Sequence, residues 1–244
     1  MANRYQHIAD ELRRLITAGT WLVGDRLPSE PELAARYRVS TPTLRNALEV
    51  LQSEGLVEKR HGSGNFVRRP GQRVTYAVDR RAERRGIVST AVDVRLETAL
   101  VEADSRLSSL LRVKAGAALA EYVFVSHLGT SPRSVARVYV PHAVARLGLP
   151  EDVSDPWGGN VRDLLTTAGV RVVTMTEQIT ARFPTASEAQ TLHITMRTPV
   201  LVIQRTATDA DARVVEGALV VLPGDRTEIL LTTGSDIEEM EAAG

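Results

Sequence analysis

The sequence predicts an α+β chain in two parts: an N-terminal winged helix-turn-helix, then a C-terminal α+β domain built on an antiparallel sheet. Three observations carry this. Ser40 to Gly55 holds the start and stop signals of one short amphipathic helix, and a second capped helix begins at Ser29, close upstream. Beyond residue 87, apolar residues alternate in strand-length runs, joined by turn residues and broken by short helical patterns.

In chain order, Tyr5, Ile8, Ala9, Leu12, Leu15 and Ile16 recur at helical spacing, and Gly19 closes that helix. Arg4 lies near its start and off its apolar stripe, within reach of a phosphate. Ser29 and Glu32 form a capping box for a second helix, with Pro31 in its first turn. Only Arg38 and Val39 separate that helix from the third, which Ser40 caps, Pro42 enters and Gly55 leaves. Two helices joined this tightly make a helix-turn-helix. In the third helix Leu44, Ala47, Leu48 and Leu51 share one side, leaving Thr41, Thr43, Arg45, Asn46 and Gln52 on another. Arg and Asn or Gln match the edges of G and A in a major groove, and a Ser/Thr-rich helix start suits phosphate oxygens. An isolated amphipathic helix would show the same polar side; the neighbouring helix and the following wing single this one out. Leu56 to Val67 reads as two strands around a tip of Lys59, Arg60, His61, Gly62, Ser63 and Gly64.

The chain has 244 residues, enough for two modest domains, with 30 basic and 30 acidic side chains. Residues 1–73 carry 12 Lys/Arg and 8 Asp/Glu, against 18 and 22 in the remainder, so the basic excess sits with the helix-turn-helix. With no cysteine, disulfides, thiol nucleophiles and Cys-ligated zinc are excluded. Met1 to Tyr5 lacks a signal-peptide core and no run is long and apolar enough to span a bilayer, so a soluble, cytoplasmic protein without membrane partners is expected.

Residues 69–86 combine Pro-Gly with a dense basic run and read as a linker between domains at 1–68 and 87–235; 236–244 form an acidic tail. Within the second domain, strands are expected at 92–96, 119–128, 134–140, 170–183, 200–207 and 213–221. Gly129 to Pro132 and Asp209 to Asp211 supply turns. Short helices are expected at Leu107 to Leu111, at Val161 to Leu165 before Gly169, and from Thr185, which caps with Glu188, to Leu192.

The run Gly24-Asp25-Arg26-Leu27-Pro28-Ser29-Glu30, with Leu33-Ala34, Val39-Ser40, Thr43, Arg45, Ala47-Leu48, Glu54-Gly55-Leu56-Val57 and Gly62 to Val67, resembles the DNA-binding domain of the GntR family of bacterial transcription regulators. Two positions depart from the family, Pro31 and Thr41, where it often has DNA-facing arginines. The second half resembles the UTRA ligand-sensing domain of the HutC-type GntR subfamily, a chorismate-lyase-like fold, through Leu192-His193-Ile194, Pro199 to Arg205, Asp209, Val215-Glu216 and Asp225-Arg226.

The resemblance implies a homodimeric repressor that binds a double-stranded DNA operator and is released by a small-molecule effector. Ser29, Glu30, Ser40, Thr41, Thr43, Arg45, Asn46, Lys59, Arg60, His61, Gly62, Ser63 and Gly64 are the DNA-binding candidates. Arg205 and Glu216 are the leading effector-binding candidates, with Tyr122, His127 and Tyr139 behind them. Glu216 falls where the family places an acidic ligand contact; an ion pair with Arg205 or Arg213 across the sheet is the competing reading. Members that sense sugar phosphates carry two arginines in the strand that here runs Glu121 to His127, and neither is present, which points away from a phosphorylated sugar.

No enzyme constellation appears. The Gly62 to Val67 stretch does not run from a strand into a helix and is followed by no P-loop lysine. The five histidines form no HExxH or i,i+4 pair, so neither a metal nor a cofactor is expected, and there is no G-x-S-x-G elbow. Residual lyase-like activity and a purely dimerising second domain are the alternatives.

Overall fold

The computed structural model describes residues 4–60, 63–68, 73–77, 92–129, 131–150 and 153–231. Helices α1 (Arg4–Thr17), α2 (Glu30–Tyr37) and α3 (Thr41–Ser53) each turn an apolar stripe inward. Ile8, Leu12, Leu33, Leu44, Leu48 and Leu51 meet there with Val57 and Val67, all but excluded from water. Burying each such side chain is worth about 1.5–3 kcal/mol. Both expected caps form. The Ser29 hydroxyl accepts from the Glu32 N–H while the Glu32 carboxylate accepts from the Ser29 N–H, and the Ser40 hydroxyl accepts from the Thr43 N–H. Between α2 and α3, Arg38 adopts a left-handed conformation (φ 51°), and its carbonyl accepts from Nη2 of Arg4. Arg4 therefore holds the turn of the motif from α1, where the sequence suggested a phosphate contact. The wing is β1 (Val57–Arg60) antiparallel to β2 (Gly64–Val67), with Arg60 opposite Gly64.

The second half is a six-stranded antiparallel sheet of β4 (Asp93–Glu102), β5 (Ala118–Leu128), β6 (Ser131–Pro141), β7 (Thr174–Arg182), β8 (Val200–Thr208) and β9 (Val214–Pro223), in the order β4-β5-β6-β9-β8-β7. The two middle strands, β6 and β9, are buried almost throughout because both sheet faces are covered. On one face Phe124, Val138, Ile203 and Val220 pack under α5 (Gly159–Thr167) and Trp157. On the other, Leu119, Tyr139 and Leu219 meet α4 (Ser105–Leu111), and Val202 and Val221 meet Leu192 at the end of α6 (Ala186–Thr191).

Three strand limits differ from the sequence reading by three residues or more. The strand expected at 92–96 continues to Glu102, since β5 pairs with it along its whole length. The strand expected from Val170 begins at Thr174, where pairing with Thr208 begins. Pro132, expected in a turn, lies inside β6; it is tolerated because β9 pairs only with Val135 to Tyr139, leaving no ladder partner for a missing N–H.

The segment read as a linker contains a further strand. β3 (Val74–Ala77) pairs in parallel with β10 (Thr227–Leu230), and Val74 and Tyr76 enter the core of the second half. Alternation over four residues is too short to distinguish a strand from a polar linker without its partner. The Pro-Gly and basic stretches of the linker, and the acidic tail, lie outside the described residues.

The two halves touch. Arg68 donates Nη1 to Asp225 at 3.1 Å, its Nε lies 3.8 Å from Glu58, and Arg197 reaches Glu49 on α3 at 2.8 Å. Beside these pairs a cleft of about 900 Å³ runs between the wing and the residues from α6 to Thr198.

Candidate functional site

The polar face of α3 stands beside the wing, and Glu30 at the start of α2 joins the two. Its Oε2 accepts from Nε of Arg45 at 2.6 Å and its Oε1 lies 3.4 Å from Nζ of Lys59. The Glu30 side chain is only 17% exposed, while Arg45 and Lys59 remain 58% and 55% exposed. Burial works to raise the Glu30 pKa, but the two cations overcome it and hold the carboxyl below its usual range. Asn46 is exposed next to Arg45, and Thr41 and Thr43 are half-buried in the first turn. The hydroxyls of Ser29 and Ser40 serve as caps, and that of Thr43 bonds to Ser40 at 2.9 Å. Ser63 is exposed, and Gly64 (φ 104°) lets the wing pass Arg26, whose Nε would stand 3.2 Å from an added Cβ. His61, Gly62 and the side chain of Arg60 lie outside the described residues. Gln52, read as part of the polar face, is buried instead: its Nε2 donates to Oδ1 of Asn65 on β2 at 2.9 Å. At the C-terminal end of α3 that side of the helix faces the wing, so its polarity serves packing.

In the second half, Arg205 on β8 and Glu216 on β9 form a buried pair, Nη2 to Oε1 3.1 Å, with side chains 2% and 0% exposed. The Arg205 Nη2 also donates to the Trp157 carbonyl at 2.8 Å. The ion-pair reading of Glu216 is thus realised, with Arg205; Arg213 pairs with Asp209 at the hairpin end. Yet the pair is only partly satisfied: Oε1 of Glu216 has the ion pair with Arg205, but among the described residues Nε of Arg205, Oε2 of Glu216 and Oε2 of Glu177 are buried without a hydrogen-bond partner. Burial alone would lower the Arg205 pKa, but Glu216, with Tyr76, Glu177 and Asp155 nearby, raises it.

Tyr76 and Glu177 belong to this cluster and were not found from sequence. Tyr76 donates its hydroxyl to Oε1 of Glu177 at 2.6 Å and packs edge-on against Trp157, ring centres 5.3 Å apart. Burial pushes the Tyr76 hydroxyl well above its ordinary pKa. The loop before α5 is held over the cluster by Asp155, which accepts from the N–H groups of Trp157 and Gly159 at 2.7 and 2.8 Å. Gly158 (φ 81°) has no alternative there, because a Cβ would collide with Val138.

Of the three weaker candidates only Tyr122 shares the face and level of Arg205 and Glu216, and its hydroxyl donates to the Gly148 carbonyl at 2.9 Å. Tyr139 points to the opposite face, into the cluster with Leu110 and Leu111, because it differs in strand parity from Val138 and Val140. His127 lies at the far end of β5; Glu216 is level with Ala120 and Glu121, six or seven residues away, about 20 Å along a strand. Burial, then Arg95, lowers the His127 pKa. The structure therefore does not bring Tyr139 or His127 to the Arg205–Glu216 pair.

Comparison with known proteins finds relatives for both halves of the chain. The family described as "Bacterial regulatory proteins, gntR family" matches residues 4–67, and the UTRA domain matches residues 93–228. The chain is 30% identical to the histidine utilization repressor of Klebsiella aerogenes, over 95% of each protein. It is 28% identical to an HTH-type transcriptional regulator of Streptomyces coelicolor, over 92% of this chain and 90% of that one. A crystal structure of a GntR-family transcriptional regulator superposes with a TM-score of 0.55 at 28% identity, covering 96% of this chain and 98% of that one. PhnF from Mycobacterium smegmatis superposes with a TM-score of 0.53 at 24% identity, over 93% and 99%, and supports the fold. Those relatives are transcription regulators and not enzymes, and among the described residues no helix is long and apolar enough to cross a membrane. With the winged helix-turn-helix at one end and the UTRA fold at the other, the chain belongs to the GntR family and is a DNA-binding transcriptional regulator with an effector-binding domain.

Proposed function

We propose that this regulator is a cytoplasmic repressor that binds a near-palindromic operator as a symmetric homodimer and leaves it when a small metabolite occupies the second half. Residues 1–68 form the DNA-binding unit and 87–235 the sensing unit; β3, inside the connecting segment 69–86, is anchored to the sensing unit. A single helix-turn-helix reads few bases, which is the physical reason for a dimer on two half-sites. Arg45 and Asn46 read bases from α3, Ser40, Thr41 and Thr43 meet phosphates at its start, and Ser29 and Glu30 support them. Lys59, Arg60, His61, Gly62, Ser63 and Gly64 bring the wing to the minor groove.

The observation that carries the sensing role is the buried, only partly satisfied cluster of Arg205, Glu216 and Glu177. Such groups cost about 1–3 kcal/mol each when unpaired, and a polar ligand with both donors and an acceptor would repay that cost. Tyr76 ties the cluster to the strand that follows the DNA-binding unit, so a ligand there changes the spacing of the two DNA-binding units. A coupling of about 1–3 kcal/mol suffices for a 5- to 150-fold change in DNA affinity.

The experiment is a thermal-shift screen of unphosphorylated sugars, amino acids and organic acids, followed by operator-release assays on the hits. A ligand at a hundred times its Kd adds about 2.7 kcal/mol of stability. A broad panel giving neither stabilisation nor release would reduce the second half to a dimerisation module.

A further inference from the structure

Among the described residues, Glu30 is the one carboxylate seen to touch both DNA-reading elements at once, α3 through Arg45 and β1 of the wing through Lys59. It is largely enclosed, whereas its two partners are more than half exposed. It binds Arg45 at Nε, and among the described residues no partner engages the two Nη groups. Those Nη groups have the spacing of guanine O6 and N7. A free arginine side chain loses rotamer freedom on being fixed against a base; one already held at Nε has lost much of it beforehand.

We propose that Glu30 is a specificity-determining positioning residue: without touching a base, it presents the Nη fork of Arg45 and sets the distance between recognition helix and wing through Lys59. The proposal rests on the reading of Arg45 as a base-contacting residue. It carries a second consequence from charge alone. By neutralising part of Arg45 and Lys59, Glu30 suppresses their unselective attraction to phosphate, so it raises discrimination from both sides.

The test uses the full chain and two duplexes of equal length, one recovered by repeated selection from a random pool with the parent protein, the other a scramble of it. Affinity for both is measured across a range of salt for the parent, Glu30→Gln, Glu30→Asp, Arg45→Ala and the double variant Glu30→Gln/Arg45→Ala. Glu30→Gln removes the charge; Glu30→Asp keeps it but is too short to reach both cations. Both should lower the ratio of selected to scrambled affinity about tenfold. Only Glu30→Gln should tighten binding to the scramble, with its salt slope steeper by about 0.9 for each phosphate newly neutralised. Selection repeated with Glu30→Gln should lose preference at the base pair that Arg45→Ala loses, and the double variant should discriminate no worse than Arg45→Ala alone.

Loss of preference at a different base pair would overturn the proposal, since Glu30 would then be reading a base itself. An unchanged ratio, or additive losses in the double variant, would overturn it too. If the parent recovers no preferred sequence, the site-specific reading of the whole protein fails, and Glu30 is not at issue. Melting temperatures of the variants separate all of this from a folding defect, which a neutral and a charged variant would have to share.

Discussion

Gln52 on the recognition helix donates its Nε2 to Oδ1 of Asn65 on the wing at 2.9 Å, and both side chains are buried. This bond fixes the wing against the helix from behind, as Glu30 does from the front. Removing one partner strands a buried polar group, so Gln52→Leu or Asn65→Leu should each cost about 1–3 kcal/mol in urea unfolding. The double replacement should cost less than the sum, because no group is then left unpaired. Additive losses would show that the two side chains act independently.

Among the described residues Arg45 makes one ion pair, and its own side chain is more than half exposed, so the pair contributes at most about 1 kcal/mol to stability. Arg45→Ala should therefore leave the melting temperature nearly unchanged while operator binding falls by about 1–3 kcal/mol. Unchanged operator affinity in the folded variant rules out base readout by this residue.

Replacing the Arg205–Glu216 pair should separate stability from the proposed sensing role. Glu216→Ala abandons a buried guanidinium and should destabilise the chain by about 3–5 kcal/mol. The joint replacement Arg205→Met/Glu216→Leu should recover most of that stability yet give no thermal shift with any ligand that shifts the parent. Retained ligand stabilisation in the joint variant would move the effector site elsewhere.

Glu188 gives the chain a defined acid response. Hydrogen bonding from Arg182 at 2.7 Å, helped by the Thr185 N–H, outweighs burial and holds its carboxyl at about 2. A depressed carboxyl contributes stability that is fully present above its unfolded value near 4.5 and is lost as pH falls toward 2. The urea midpoint should drop less in Glu188→Gln than in the parent between pH 5 and about 2.5. Equal slopes would mean that other carboxylates dominate.

The parts legible in sequence are those set by local chemistry. Ser29 with Glu32, Ser40 with Pro42, Gly55 and Thr185 with Glu188 mark helix ends because capping involves residues only three or four apart. The β8–β9 hairpin was readable for the same reason, its turn and both strands being contiguous. What the tertiary structure alone decided depends on partners far along the chain. Val74 to Ala77 is a strand because β10, some 150 residues later, offers it an edge, and this brings Tyr76 to Glu177. Period-two alternation says which residues of one strand share a face, but not which face meets α5 and which meets α4, and the bulge between Ser126 and His127 interrupts that parity. Hence Tyr122 and Tyr139, equally plausible in sequence, end on opposite sides of the sheet, and Gln52, polar and seemingly exposed, is buried by a wing whose position only packing determines.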